Sequence, residues 1–237
     1  MSEVAPRPVF IHGAGGSELV WGKQEPRFEG AVILNLPGRP DGTAFDRIED
    51  SAQWVADEIA ELGGPTVLVG HSMGGQIAME VALKRPESVD GLILIATGAR
   101  IPVPETVMAE TANDFDARCE RFIRACYAKP DESNIAALAD QMRIVGRDTV
   151  LRDYAAVDSW DGRPRLANLH QPVLVVAGGA DRITPPSMSE EFSRGLPNVL
   201  SVLVPEAGHL VIVEQYAAVN LLIAGFLARL ELTLDGQ

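Results

Sequence analysis

Short, nearly unbroken apolar runs recur along the 237-residue chain, and each ends in glycine or in a polar turn. Most are continuous Val/Ile/Leu segments rather than alternating ones, which is typical of strands covered on both faces in a parallel sheet. The predicted strands span residues 8–11, 31–36, 66–69, 91–96, 173–177 and 200–204.

Helical patterns alternate with these strands. Over residues 48–62, apolar residues recur at three- and four-residue steps on one face, and Gly63-Gly64-Pro65 ends the segment. Further helices are predicted over 73–85, 190–196 and 213–230. Alternating strands and helices predict right-handed βαβ units and a doubly wound α/β fold, with a mostly parallel sheet of about six strands.

One stretch breaks this alternation, because no strand-like run occurs between Arg100 and Gln171. The stretch is too long for a loop, and its apolar periodicity predicts short helices instead. These predicted helices span residues 105–111, 115–128, 133–144 and 149–156. We therefore predict a helical insertion at 100–170, packed over one edge of a core formed by 1–99 and 171–237.

The charge balance narrows the range of partners. Asp and Glu number 33 against 20 Lys and Arg, a net charge of −13 that repels phosphate backbones and anionic headgroups. We expect no nucleic acid and no membrane partner, and neither a membrane span nor a signal peptide in residues 1–4. Cys119 and Cys126 lie too far apart on one helix for a disulfide and have no nearby histidine for zinc. These features favour free thiols, no metal and a cytoplasmic location.

Residues 70–75 carry the most informative motif, Gly-His-Ser-Met-Gly-Gly, between a predicted strand and a predicted helix. This is G-x-S-x-G in the context that the motif requires. A sharp turn there would expose the hydroxyl of Ser72, while Gly70 and Gly74 would let strand and helix approach closely. The helix would direct free N–H groups and its positive dipole end at developing negative charge. Ser72 is therefore the candidate nucleophile.

A serine nucleophile needs a base, normally one of the four histidines here. His71 adjoins Ser72, and we expect its side chain to point away. His12 follows the first strand beside a glycine loop, and His170 lies at the amino end of a strand, where we expect a surface position. His209 follows the sixth strand at the carboxyl end, where sites of parallel sheets lie, and is the candidate base.

The candidate acid is Asp181, the first carboxylate after the strand at 173–177. The preceding strand leads into residues 97–100, which contain no carboxylate, and Glu214 is a poorer substitute because it begins the final helix. The resulting chain order of serine, aspartate and histidine is the one expected for this motif.

An oxyanion hole needs two converging N–H donors, and Met73 after the nucleophile supplies one. The loop at residues 12–17 should supply the other from Ala14, with Gly13 and Gly15 as alternatives. A phosphate-binding loop is the competing interpretation. The segment lacks both the Walker A ending and the G-x-G-x-x-G spacing, which argues against that interpretation.

Together these motifs resemble the α/β-hydrolase fold superfamily over nearly the whole chain. The matching segments are residues 12–16 with His12 and Gly13, 36–38, 70–75, 179–182 with 184–185, and 207–209. The resemblance implies a helical cap at 100–170, and only eight residues before Val9 imply that the family's usual first two strands are missing. Asn35 stands where the family often carries Asp, at a position outside the triad.

The type of nucleophile selects among the reactions of this superfamily. Ser72, rather than Asp, argues against haloalkane dehalogenases and epoxide hydrolases. Leu210 stands where hydroxynitrile lyases typically carry Lys. We predict a carboxylesterase-type serine hydrolase that acts through an acyl-enzyme on a small, uncharged ester, without a cofactor. Lactonase, thioesterase and C–C hydrolase activities remain alternatives, as do a lyase-like enzyme and a non-catalytic ligand-binding member.

Several large residues of the insertion are candidates for a substrate pocket, although at helical spacing such residues more often pack in a core. These are Met108, Phe115, Phe122, Ile123, Tyr127, Met142 and Trp160.

Overall fold

In the computed structural model, which describes residues 5–39 and 42–234, six parallel strands form one sheet. The strands are β1 (Arg7–Ile11), β2 (Val32–Leu34), β3 (Thr66–His71), β4 (Gly91–Ile95), β5 (Val173–Gly178) and β6 (Val199–Val204). Their order is β2-β1-β3-β4-β5-β6, and every neighbouring pair is parallel. The predicted doubly wound α/β sheet is confirmed, whereas residues 1–4, with the signal-peptide prediction, lie outside the described residues.

Nine α-helices flank the sheet in the described part of the chain. They are α1 (Ile48–Ala60), α2 (Met73–Lys84), α3 (Glu105–Asn113), α4 (Phe115–Cys126), α5 (Glu132–Val145), α6 (Arg147–Ser159), α7 (Pro186–Gly195), α8 (Val211–Glu214) and α9 (Tyr216–Leu234). Short 3-10 helices span Glu18–Trp21, Glu25–Arg27, Pro86–Ser88 and Arg163–Asn168.

The predicted bounds differ from the observed ones mainly near the carboxyl terminus. The helix predicted over 213–230 is two helices, because Gln215 adopts φ −126° between α8 and α9. The predicted helix at 190–196 begins earlier, since Pro186 occupies the first turn of α7, where a missing N–H costs no hydrogen bond.

Burial on both faces explains why the strands are continuous apolar runs. Leu68 of β3 packs in the cluster on the α1 and α2 side of the sheet, whereas Val67 and Val69 pack in the opposite cluster with α9. In β4, Leu92 and Ile93 divide between the same two clusters. In these central strands each position therefore faces a core, and an alternating polar pattern would leave polar groups buried. Edge strand β6 differs, because Leu200 and Leu203 are about half-exposed.

Helices α3–α6 lie between β4 and β5, where the sequence predicts an insertion, and they share an apolar cluster of their own. The cluster contains Cys119 and Cys126, which are both buried free thiols, as their spacing predicted. Leu210, from the segment after β6, belongs to the same cluster, so the inserted helices pack directly on the carboxyl end of the sheet. The division into a core and a cap at residues 100 and 170 stays a prediction.

Within residues 5–39 and 42–234, no helix has the length and apolar character that crossing a bilayer requires.

Two glycines bring α2 against the sheet. A Cβ at Gly70 would overlap the carbonyl oxygen of Gly74, and a Cβ at Gly74 would overlap the carbonyl oxygen of Ile11 in β1. Backbone atoms cannot move aside as a flexible side chain can, so both positions require glycine for steric reasons. The approach of α2 to β1 therefore depends on the absence of a side chain at Gly74.

Replacing Gly74 with Ala should destabilise the protein by about 1–3 kcal/mol or more, because the added methyl group forces β1 and α2 apart. Gly225→Ala, at an exposed position of α9, is the control. A Cβ there meets no atom within 4 Å, and helix propensity favours Ala by about 1 kcal/mol. Urea unfolding of both variants measures the difference. Equal stability of Gly74→Ala and wild type would contradict the steric explanation.

Candidate active site

Ser72 lies in the turn between β3 and α2, with φ 54° and ψ −120°. A positive φ is costly for a residue with a side chain, by about 1–3 kcal/mol, and persists only where the surroundings enforce it. Here β4 and the segment after it enforce the turn. The Ser72 N–H donates to the Ile95 carbonyl (3.0 Å), and the Thr97 hydroxyl donates to the Ser72 carbonyl (2.7 Å). The serine hydroxyl is thereby directed away from the strand.

The structure brings Ser72, His209 and Asp181 together, although they come from three separate loops. His209 Nε2 lies 3.0 Å from Ser72 Oγ, and His209 Nδ1 lies 2.9 Å from Asp181 Oδ2. The histidine and the aspartate are buried, and the serine is half-buried and lines a cavity. The three side chains form one continuous chain of hydrogen bonds.

Asp181 is held as an oriented carboxylate. Its Oδ1 accepts the N–H groups of Ile183 (2.7 Å) and Thr184 (2.9 Å), and its Oδ2 accepts the Thr184 hydroxyl (2.8 Å). Burial raises the pKa of Asp181, but the His209 ring and the Thr184 hydrogen bonds outweigh burial and hold the pKa below its ordinary value. An ionised carboxylate only accepts, so His209 Nδ1 donates and Nε2 is left to accept from the Ser72 hydroxyl.

The predicted oxyanion donors lie on both sides of the nucleophile. Met73 is the first residue of α2, where N–H groups have no partner within the helix. In the loop after β1, the Gly15 N–H donates to Asp153 Oδ2 (2.8 Å), which removes Gly15 as an alternative donor. Gly13 and Ala14 line the same cavity as Ser72. The roles of the Met73 and Ala14 N–H groups stay predictions.

Comparison with known proteins identifies the family. The model of the alpha/beta hydrolase family matches residues 9–220. This chain belongs to the alpha/beta hydrolase family. The resemblance inferred from the motifs and the predicted fold are thus both confirmed.

Individual relatives of this hydrolase include esterases. A pimeloyl-(acyl-carrier protein) methyl ester esterase of Neisseria meningitidis serogroup A is 30% identical over 230 residues, which cover 88% of this chain and 72% of the relative. An esterase structure from Exiguobacterium antarcticum shares 17% identity with a TM-score of 0.88, covering 95% of this chain and 93% of that one. An enol-lactonase structure from Burkholderia xenovorans shares 19% identity with a TM-score of 0.87, covering 95% and 92%. The two structures share its fold, and the predicted enzyme class of ester hydrolases agrees with the relatives.

His71 of the hydrolase lies closer to the site than the sequence predicted. Its side chain avoids the Ser72 hydroxyl but turns towards His209, where Nε2 donates to the His209 carbonyl (2.9 Å) and the ring centroids are 4.9 Å apart. Burial, followed by the neighbouring His209, lowers the pKa of His71 to about 3. A neutral His71 therefore fixes the backbone of the candidate base.

His12 supports the glycine loop rather than the hydrogen-bonded chain. Its Nδ1 donates to the Gly13 carbonyl (2.9 Å), and its Nε2 accepts the Leu36 N–H (3.2 Å). Burial, and next the charge of Arg39, lower the pKa of His12 to about 3. His170 is exposed, as expected from its place before β5.

The loop that carries His209 is fixed by Glu214, which sequence analysis considered only as a substitute acid. Glu214 Oε1 accepts the Gly208 N–H (2.7 Å), and Oε2 accepts the Ala128 N–H beyond α4 (2.9 Å). The Leu210 N–H donates to the Cys126 carbonyl (3.2 Å). The end of α4 is therefore linked to the residues before and after His209, through Glu214 and through the Cys126 carbonyl. No local sequence motif predicts this contact.

A buried ion pair joins the glycine loop to inserted helix α6. Arg39 Nη2 pairs with Asp153 Oδ2, while Arg39 Nε donates to the Gly16 carbonyl (2.7 Å) and Nη1 donates to the Pro37 carbonyl (3.0 Å). Burial raises the pKa of Asp153, and Arg39 and the Gly15 N–H act in the opposite direction. Sequence analysis missed this pair because its members lie far apart in the chain and belong to no motif.

A cavity of about 340 Å³ opens above Ser72 and His209. Its walls are largely apolar, and they come from the glycine loop, the segment 101–104, helices α3–α6 and residues near Asp181 and His209. Seven large residues of the insertion are pocket candidates in the sequence. Among the described residues that line the cavity, Phe122 and Ile123 are the only two of these seven. Trp160, for example, is buried elsewhere, and its indole N–H donates to Glu80 Oε2 (2.9 Å). Among the described residues, no cluster of three metal-ligating side chains is present.

Replacing Asp153 with Ala should destabilise the protein by about 3–5 kcal/mol, because the buried Arg39 guanidinium loses its counter-charge. Asp153→Asn should cost less, since an amide oxygen can still accept from the Gly15 N–H. Asp148→Ala is the control on the same helix, because its side chain is 86% exposed, and it should unfold as wild type does. Urea unfolding measures all three variants. A loss in Asp153→Ala no larger than in Asp148→Ala would show that the ion pair does not stabilise the fold.

Proposed function

We propose that this hydrolase cleaves carboxylic esters through an acyl-enzyme, with Ser72 as nucleophile, His209 as general base and acid, and Asp181 as its orienting carboxylate. The observation that carries the proposal is the hydrogen-bonded chain from Ser72 Oγ through both nitrogens of His209 (3.0 and 2.9 Å) to Asp181. The similarity to a methyl ester esterase supports the same bond type. This arrangement supplies a nucleophile, a base and an orienting carboxylate for acyl transfer to water.

The first half of the reaction forms the acyl-enzyme. Ser72 Oγ attacks the ester carbonyl carbon while His209 Nε2 takes its proton, and the N–H groups of Met73 and Ala14 stabilise the tetrahedral oxyanion. His209 then returns the proton to the departing alcohol as the acyl C–O bond breaks. Asp181 stabilises the imidazolium that exists between these two proton transfers.

The second half releases the acid. A water molecule gives its proton to His209 Nε2 and its oxygen to the acyl carbon, and the Ser72 Oγ leaves as it recovers a proton. Thr184 and Glu214 are positioning residues for this sequence, because one orients Asp181 and the other holds the backbone beside His209.

The inserted helices form much of the cavity wall above Ser72. Helices α3, α4 and α5 contribute apolar side chains to the cavity directly above Ser72, among them Val107, Phe122 and Leu138. Burial of hydrocarbon in such a pocket provides binding energy and excludes bulk water from the ester. We therefore propose that residues 100–170 cap the site and bind the hydrocarbon part of the substrate.

Ser72→Ala should lower the rate of hydrolysis of p-nitrophenyl butyrate by roughly 10⁴–10⁶-fold, because no other group can form the acyl-enzyme. Asp181→Asn should lower kcat by about 10⁴-fold, because an amide favours the wrong tautomer of His209. Ser187→Ala, at an exposed serine of α7, is the matched control and should keep the wild-type rate. Release of p-nitrophenolate measures all three. Wild-type turnover by Ser72→Ala would overturn the proposed nucleophile.

A further inference from the structure

Arg118 is a buried cation that the proposed reaction does not use. It lies on α4, is 8% exposed and lines the cavity above Ser72. Its guanidinium makes no hydrogen bond to any described residue, and the buried Nε lacks a partner. The ion pair of Nε with the half-exposed Glu110 is long, at 3.7 Å. A buried guanidinium has five donors to satisfy, so this one is suited to an acceptor that arrives with a ligand.

Tyr154 presents a second unused donor beside Arg118. Its hydroxyl is buried without a hydrogen-bond partner, and the residue lines the same cavity. Phe122 connects the two residues, since its ring lies 5.0 Å from the Arg118 guanidinium and 6.2 Å from the Tyr154 ring. Burial raises the pKa of Tyr154, and Arg118 acts against that rise. The phenol therefore stays protonated, and it can donate to the same acceptor.

The charge of the cavity wall is opposite to that of the chain. The chain has a net charge of −13, yet the described lining residues include Arg118 and Arg182 and no Asp or Glu. Arg182 already donates to the Tyr127 carbonyl (3.0 Å), so Arg118 is the guanidinium with unfilled donors. A positively charged apolar cavity in an acidic protein favours an anionic group on an otherwise hydrocarbon ligand.

The position of Arg118 along α4 determines its distance from the candidate base His209. Arg118, Phe122 and Cys126 line the cavity at four-residue steps along α4. The Cys126 carbonyl accepts the Leu210 N–H, directly after His209. From Cys126 back to Arg118 is eight residues, or about 12 Å along the helix axis. A hydrocarbon spacer is therefore needed between an ester at Ser72 and an anion at Arg118.

We propose that the substrate is a half-ester of a dicarboxylic acid, with the ester group at Ser72 and the free carboxylate bound by Arg118 and Tyr154. The proposal rests on the proposed esterase function and replaces the uncharged ester expected from the sequence. Hydrolysis of a monomethyl half-ester breaks the acyl C–O bond, transfers the oxygen of water to the acyl carbon and releases methanol and the dicarboxylic acid. The apolar residues between the two ends of the cavity bind the methylene chain.

Steady-state kinetics on matched substrates tests the proposal. Monomethyl esters of dicarboxylic acids from succinate to sebacate are compared with methyl esters of monocarboxylic acids of equal chain length. At its best chain length, wild type should show a kcat/KM about tenfold or more higher for the half-ester, the size of effect that hydrogen bonds to a charged group produce. Arg118→Gln should lower this ratio of half-ester to neutral ester by about tenfold or more.

Three further variants test the general effect of a lost charge on α4, the planar geometry of the Arg118 guanidinium and the Tyr154 hydroxyl. Arg121→Gln removes the same charge from a half-exposed position on α4, and it should keep the wild-type ratio. Arg118→Lys keeps the charge without the planar fork and should give an intermediate ratio. Tyr154→Phe keeps the buried ring and should lower the ratio by removing one donor. The same ratio in Arg118→Gln and wild type, or a wild-type preference for the neutral ester at every length, overturns the proposal.

Binding without turnover distinguishes this proposal from the proposed reaction. In Ser72→Ala, titration calorimetry with the best half-ester should give a Kd about tenfold or more lower than in Ser72→Ala/Arg118→Gln. An equal Kd in the two proteins would overturn the carboxylate site even if esters are hydrolysed. Hydrolysis that persists in Ser72→Ala would instead overturn Ser72 as the nucleophile. The two Kd values would still decide whether Arg118 binds the carboxylate.

Discussion

The left-handed backbone of Ser72 is the constraint on which the candidate site depends. A residue with φ 54° between a strand and a helix is unfavourable by itself. It is maintained here because Gly70 and Gly74 allow β3, α2 and β1 to approach within backbone contact, and because Ile95 and Thr97 bond the Ser72 peptide groups. The same turn begins α2 at Met73, so one local conformation sets the position of the Ser72 hydroxyl and of the N–H group predicted as an oxyanion donor.

The other parts of the site are loops whose positions are set by bonds to the backbone. Thr184 fixes Asp181, Glu214 fixes Gly208, and His71 fixes the carbonyl of His209. None of these groups needs to change charge for the proposed reaction. These hydrogen bonds hold His209 and its partners in place before a substrate binds. The site therefore needs little rearrangement of its side chains when the substrate binds.

The sequence predicted features that depend on short segments. Strand runs, helix stripes and the motif around Ser72 are local, and the order of parallel strands placed Asp181 and His209 at the same sheet edge. Contacts between distant segments had no such signal. Arg39 and Asp153, like Glu214 and Ala128, meet only because the inserted helices fold back on the glycine loop and on the loop after β6. Arg118 looks like an ordinary helix surface residue in sequence, and only tertiary packing buries it in the cavity.

The most direct test of the account is covalent labelling by a fluorophosphonate, which reacts with a serine only when a neighbouring base and an oxyanion hole activate it. Intact-mass and peptide analysis of the folded protein would locate the adduct. The account predicts stoichiometric labelling at Ser72 that is lost when His209 is replaced with Gln. Folded wild-type protein that stays unlabelled, or that is labelled at another residue, would contradict it.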